Sequence, residues 1–216
     1  MVVLGTNLTG MYVPPANRLD DDAAIRALVG AVGSAEFVTV AEDGFPTSTL
    51  LPILWHGDTV VAHMARANPQ WRTLQHGAPA LLICAGDQTY ISPSWYAAKT
   101  EHGRVVPTWN YSAVHLSGTV TVHDDTAWLR RAVTDLTGAH ESGRAQPWRV
   151  TDAPEAYIDG QLRGIVGLEI TVHRVEAKAK LSQNRSADDR RGVVAGLRAE
   201  PTAGAHAVAD VMDSQL

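Results

Sequence analysis

Two hydrophobic periods alternate along this chain, and their order predicts its architecture. Residues 19–32, LDDDAAIRALVGAV, set acidic side chains ahead of Ile25, Leu28, Val29 and Val32 on one face, as in a short amphipathic helix with carboxylates at its positive end. The segments AEFVTVA, TSTLLPILW and TVVAHMA follow, separated by the turn sequences EDGFP and HGD, and predict three strands of an antiparallel meander. NPQWRTLQ predicts a short helix, because proline fits a first helical turn and Trp71 and Leu74 then share a face. APALLICAG and DQTYISP predict two further strands. The longest strand signal is NYSAVHLSGTVTVHD. There Val114, Leu116, Gly118, Val120 and Val122 alternate with His115, Ser117, Thr119, Thr121 and His123, so one face belongs to a core and the other is polar.

DDTAWLRRAVTDLTGAHE then predicts an amphipathic helix with Trp128, Leu129, Ala132, Val133 and Leu136 turned inward. APEAYIDGQLRG predicts another helix, and IVGLEITVHRVEAKAK returns to strand. After LSQNR, from about residue 186, the pattern is helical to the end. Six or more antiparallel strands punctuated by short helices, without regular strand–helix alternation, predict a mainly β, α+β fold built on a barrel rather than a doubly wound sheet. Residues 11–216 read as a single domain with a C-terminal helical segment, and residues 1–10 as a mobile extension, since Met11 opens a fresh MYVPPANRLDDD. There is no internal repeat, no glycine-rich nucleotide fingerprint and no P-loop.

Composition narrows the function classes. The chain of 216 residues is 45% hydrophobic and 19% charged, with no apolar run long enough to cross a bilayer, which argues against a membrane role. Its net charge is −5 and its eighteen basic residues are scattered, so it lacks the basic stripe of a nucleic-acid surface and would need a partner to bind one. Cys84, the only cysteine, lies in the apolar PALLICAG and reads as a small buried hydrophobe. MVVLGTNLTG lacks the basic start and long apolar core of a signal peptide, so a cytoplasmic location is expected.

Four segments combine polar groups and aromatics more densely than packing requires: HMARANPQW, YISPSWY, VPTWNY and KLSQNR. Arg66 and Asn68 follow a strand end, where a guanidinium fork and an amide can hold a phosphate or carboxylate. Lys180, Ser182, Gln183, Asn184 and Arg185 form a second donor-rich run, and Trp71, Trp95 and Trp109 offer flat walls. Together they point to a flat ligand with anionic arms, for which FMN and heme both qualify. The plainer reading stands beside it: Asn-Pro and Ser-Pro are ordinary turn chemistry, tryptophans mostly pack cores, and His63 in VVAHMA shares a side with Val61 and Ala65 as a strand histidine would. The histidines show no zinc spacing. His123, Asp124 and Asp125 read as a strand-to-helix junction with acids at the helix start.

These four segments resemble the PaiB-like family of FMN-binding negative transcriptional regulators, and the similarity runs from about Met11 to the C-terminal helices. The resemblance implies a split β-barrel of the FMN-binding type and a homodimer with cofactor sites near the subunit interface. It places His63, Arg66, Asn68, Ser92, Trp95, Trp109, Asn110, Lys180, Gln183 and Asn184 in or beside the site. Two positions depart from the family pattern: Leu50 stands where members often have histidine, and Ala179 where they often have tryptophan. The family also contains piperazate synthases, which resemble the regulators but hold heme b and close N-hydroxyornithine into a six-membered ring. By that resemblance His63 is the axial ligand of the heme iron, and Lys99, Glu101, His102 and His115 are candidates for a general base. A heme enzyme of the piperazate synthase type is therefore the expected function. An FMN-binding regulator and a flavin oxidoreductase of the wider split-barrel group are the alternatives.

Overall fold

The structure, a computed structural model, describes residues 10–216, so the expected N-terminal extension lies outside the described residues apart from Gly10. The first helix, α1 (Asp22–Val32), stops where Gly33 takes a left-handed φ of 66° and donates its N–H to Val29 O at 2.9 Å. Strands β1 (Ser34–Val40), β2 (Pro46–His56) and β3 (Thr59–Ala65) then form the expected antiparallel meander. Gly57 and Asp58 alone join His56 to its ladder partner Thr59, and the φ of 55° at Gly57 suits so tight a hairpin.

Residues 78–91 depart from expectation by forming one strand, β4 (Ala78–Ile91), instead of two. Gly86 and Asp87 suggest a turn, but Gly86 is not among the glycines with positive φ, and the backbone stays extended through it. NPQWRTLQ makes a 3₁₀ turn, Pro69–Thr73, capped by the Asn68 side chain, which accepts from Gln70 N. A short helix that the sequence does not predict, α2 (Ala98–His102), precedes β5 (Thr108–His123). Helices α3 (Thr126–Glu141) and α4 (Glu155–Leu162), strand β6 (Ile165–Lys180) and helices α5 (Ala187–Ala199) and α6 (Ala203–Asp213) complete the chain as expected.

The six strands close into a barrel in the order β1-β2-β3-β6-β5-β4, with β1 also pairing β4. Pleat alternation sorts their side chains. On β3 Val60, Ala62 and Met64 are buried while Val61 and His63 are partly exposed, and on β6 Val166, Leu168 and Ile170 are buried. Cys84 is fully buried, and that burial pushes its thiol up to about 12, which makes it an inert core residue. Among the described residues no helix is long and apolar enough to cross a membrane.

The backbone divides into two compact units, and β4, β5 and β6 each contribute to both. One comprises Arg26–Cys84 and His115–Val175. Within it Leu129, Val150, Ile158 and Leu162 form a cluster beneath α3 and α4, with Trp128 and Ile165 packed against it. The other comprises the described residues up to Ile25, Ala85–Val114 and Glu176–Leu216. Its core gathers Ile91, Tyr96, Leu181, Val193, Leu197 and Met212. Trp95 rests on α5, where a Cβ at Gly196 would lie 2.4 Å from its ring and one at Gly192 would lie 2.1 Å from its carbonyl oxygen.

Gly118 is the tightest point of β5, because a Cβ there would come within 2.1 Å of the Thr171 carbonyl oxygen, a backbone atom that cannot step aside. Gly118→Ala is therefore expected to cost about 1–3 kcal/mol of stability, measured by urea unfolding, without changing the folded far-UV circular dichroism.

Candidate functional site

His63 sits on β3 directly opposite Gly167 of β6, in a ladder that pairs Thr59–Ala65 with Ile165–Thr171. Its side shares the face of Val61, as the alternation requires, but it is not a satisfied strand histidine: Nδ1 is enclosed without a hydrogen-bond partner. Burial lowers the pKa of the ring from its ordinary value of 6.5, because the protonated form is the one that loses hydration. The result is a neutral imidazole held by a well-formed ladder.

Around His63 the same unit builds a small polar and aromatic wall. A Cβ on Gly167 would lie 2.1 Å from Trp128 Cζ3, so the indole occupies the space that a side chain at position 167 would fill. Trp128 also stacks on His123, with ring centroids 4.1 Å apart and planes 8° from parallel. His123 Nε2 faces Glu169 Oε2 at 3.4 Å. Asp125 is the N-cap of α3 and accepts from Trp128 N at 2.8 Å, the junction role expected from the sequence.

Arg66 and Asn68 lie at the end of β3, with their donors turned to the chain itself. Arg66 Nε donates to Arg163 O at 2.9 Å, and Nη2 donates to Ile165 O at 3.0 Å and to the Asp124 carboxylate. That hydrogen bond holds the Asp124 carboxyl below its ordinary pKa. Asn68 Nδ2 donates to Thr49 Oγ1 at 3.0 Å while its Oδ1 caps the 3₁₀ turn. Sequence reasoning missed Gln70, the buried hub of this corner. Its Nε2 donates to Phe37 O, Thr39 Oγ1 and Thr47 O, and its Oε1 accepts from Thr49 Oγ1 at 2.6 Å. An amide between a proline and a tryptophan carries no periodic signal; only the pairing of β1 with β2 gives it these partners.

The other seven residues assigned by resemblance belong to the second unit. Ser92 caps the 3₁₀ turn Pro93–Trp95 through Ser94 N at 3.2 Å. Trp109 is 47% exposed, and its indole N–H donates to Gln88 Oε1 at 3.0 Å. Asn110 is fully buried and donates to Ser182 Oγ at 3.1 Å, and Ser182 holds a left-handed φ of 62°. Lys180 Nζ donates to Thr108 Oγ1 and, at 2.8 Å, to Trp109 O. Gln183 Oε1 accepts from Leu181 N at 2.7 Å, and Asn184 is exposed. Trp95 is the plate on the α5 glycines described above. Of the candidate bases, Lys99, Glu101 and His102 are exposed on α2, with Lys99 Nζ donating to Ser94 Oγ at 3.0 Å. His115 is half-buried on β5 in the unit that holds His63. Leu50 is 63% exposed on β2, and Ala179 packs against the second unit's core.

Residues 11–174 match the family model described as "Putative FMN-binding domain". The chain is 31% identical over 210 residues to the Bacillus subtilis protein named protease synthase and sporulation protein PAI 2, covering 95% of this chain and 98% of that one. Among solved structures it is similar to the FAD and heme binding protein from Mycobacterium smegmatis, with a TM-score of 0.60 and 19% identity over 83% of this chain and 80% of the other. It is also similar to the flavocytochrome Anf3 from Azotobacter vinelandii, with a TM-score of 0.53 and 17% identity over 74% and 67%. At these identities the structural likeness establishes the fold alone, the expected split β-barrel of the FMN-binding type. The sequence match goes further: the chain belongs to the PaiB-like family of FMN-binding proteins.

Proposed function

We propose that this chain is a heme-dependent enzyme acting on a small molecule, of the piperazate synthase type, with His63 as the axial ligand of heme b. The observation that carries the reading is the state of His63. An axial ligand must be an unprotonated imidazole on a rigid support, and burial favours the neutral ring here while the β3–β6 ladder fixes its backbone. Its enclosed, unpartnered Nδ1 leaves Nε2 as the nitrogen for the iron. The fold is one on which proteins described as heme-binding and flavin-binding are both built.

In the proposed reaction the α-amine of N-hydroxyornithine attacks the hydroxylamine nitrogen. An N–N bond forms, the N–O bond breaks, and the oxygen leaves as water, its own hydrogen joined by the one proton that the α-amine gives up, so the closure is redox-neutral overall. Heme, when bound, supplies Lewis-acid or redox activation of the N–O bond. The chain's share is to hold the folded substrate so that the two nitrogens meet, an effect worth up to about 10 kcal/mol in ideal cases. By the resemblance, Trp109, with nearly half its surface exposed, remains a proposed aromatic for a flat ring, and Lys180 a proposed cation for an anionic arm. Arg66 and Asn68 support the site by fixing the end of β3 through the hydrogen bonds they already make. Lys99, Glu101, His102 and His115 remain the proposed bases, and a homodimer is the proposed assembly.

A second reading has its own support. The family model and the Bacillus relative favour an FMN-binding regulator, in which the same aromatics flank an isoalloxazine. Leu50 and Ala179 weigh against it, since neither side chain can hydrogen-bond to a flavin.

Two measurements follow. Because His63 has a lowered pKa in the folded chain, the unfolded chain binds the extra proton first as pH falls, so stability drops from about pH 6.5 downward and levels off below the folded pKa. His63→Gln should lack this component in urea unfolding followed from pH 7.5 to about 5. The ultraviolet–visible spectrum of protein expressed with a heme precursor should show a Soret band that His63→Ala abolishes or shifts, together with consumption of N-hydroxyornithine by the wild type. A flavin spectrum indifferent to heme supply would overturn the proposal in favour of the FMN reading.

A further inference from the structure

We infer that Trp128 is a positioning residue for the His63 site, and that His123, backed by Glu169, clamps it in place. The inference deepens the reading of His63 as a ligand-bearing residue and rests on it only for the identity of that ligand. Residues directly opposed across an antiparallel pair project from the same face with Cβ atoms about 4.5–5.5 Å apart. His63 and Gly167 are such a pair, and the missing side chain of Gly167 is replaced by the indole of Trp128. The six-membered edge of the indole therefore stands where the cross-strand neighbour of His63 would stand. It sets how much room lies beside the imidazole.

That edge has little freedom. The six-membered ring lies against Gly167, where any Cβ would collide with Cζ3, Cε3 and Cη2. His123 covers a face of the indole in a nearly parallel stack. Such stacked pairs are worth about 0.5–1.5 kcal/mol beyond the area they bury. The backbone of Trp128 is tied to the Asp125 cap at the start of α3. Behind the stack, His123 Nε2 is buried without a hydrogen bond and points at Glu169, two residues after Gly167 on the same strand. Next along the chain from His123, Asp124 is held by Arg66, itself fastened to Arg163 O and Ile165 O. Thus the strand end that carries Arg66 and the helix start that carries Trp128 are joined within the unit that carries His63. His123 and Trp128 touch no part of the proposed reaction. They act through the space they leave.

The test uses the full-length chain labelled with ¹⁵N-histidine and follows the ring resonances of His63 without cofactor, then heme binding by Soret titration. His123→Ala and Trp128→Leu should move the His63 ring resonances and weaken heme binding by about tenfold or more, as loss of outer-shell support does elsewhere. His123→Phe, which retains the stack but not the Glu169 contact, should restore both in large part. Should His123→Ala fail to fold, Trp128→Phe decides by the same two readouts, because it keeps aromatic packing while withdrawing the benzo edge from Gly167. Folded Trp128 variants whose His63 resonances and heme affinity match the wild type would overturn the inference, and so would a His123→Phe variant as impaired as His123→Ala. If the wild type yields no Soret band while the resonances respond as expected, the heme reading falls and the positioning role stands.

Discussion

The pairing of β3 with β6 is the constraint on which the rest of the proposed site depends. It joins Thr59–Ala65 to Ile165–Thr171, two segments far apart in the chain, and its register decides that His63 faces a glycine. A slip of one residue would pair His63 with Val166 or Leu168 and so turn it toward the core, while Ala62 and Met64 turned outward. The burial of alternate residues on both strands makes such a slip costly, so one ladder both closes the barrel and aims the imidazole. The bonds of Arg66 to Gly164 O, Arg163 O and Ile165 O extend this ladder past the end of the strand.

Most of the polar residues that mark the family in this sequence are engaged with the backbone around them. Asn68 and Ser92 are helix caps, Gln70 closes a corner between β1, β2 and the turn after β3, and Asn110 meets Ser182 in a fully buried contact. Buried polar groups of this kind leave little tolerance, since loss of one partner strands the other away from water. A motif can thus be specific to a family because it specifies a shape, and the ligand chemistry can rest on fewer residues than the motif contains.

Much of the fold was legible in the sequence because its strands and longer helices have faces. The alternation in β5 from Val114 to Val120 and the helical spacing from Ile25 to Val29 translate directly into burial. Two features escaped for stated reasons. Gly86 and Asp87 resemble a turn, yet a glycine in extended backbone reads the same in sequence as one in a turn, and β4 runs unbroken through both. Helix α2, five residues long, is too short to show a period. Of the site, His63 was legible as a candidate, but its unpartnered Nδ1 was not, and neither was the wall beside it. His123 and Trp128 belong to different elements, β5 and α3, and the glycine that admits the indole lies on a third, β6. No local pattern could have joined them.

The seat of Trp95 on Gly192 and Gly196 bears on how this chain can change over time. Gly196 cannot acquire a side chain while the indole stays where it is, Gly192 cannot acquire one against the Trp95 carbonyl oxygen, and a smaller residue at position 95 would leave a hollow that Gly196 alone cannot fill. Trp95 and Gly196 therefore form a lock whose parts cannot be exchanged singly, and relatives that differ at one of them should differ at the other. Descent through this corner of the molecule runs by paired steps or does not run at all.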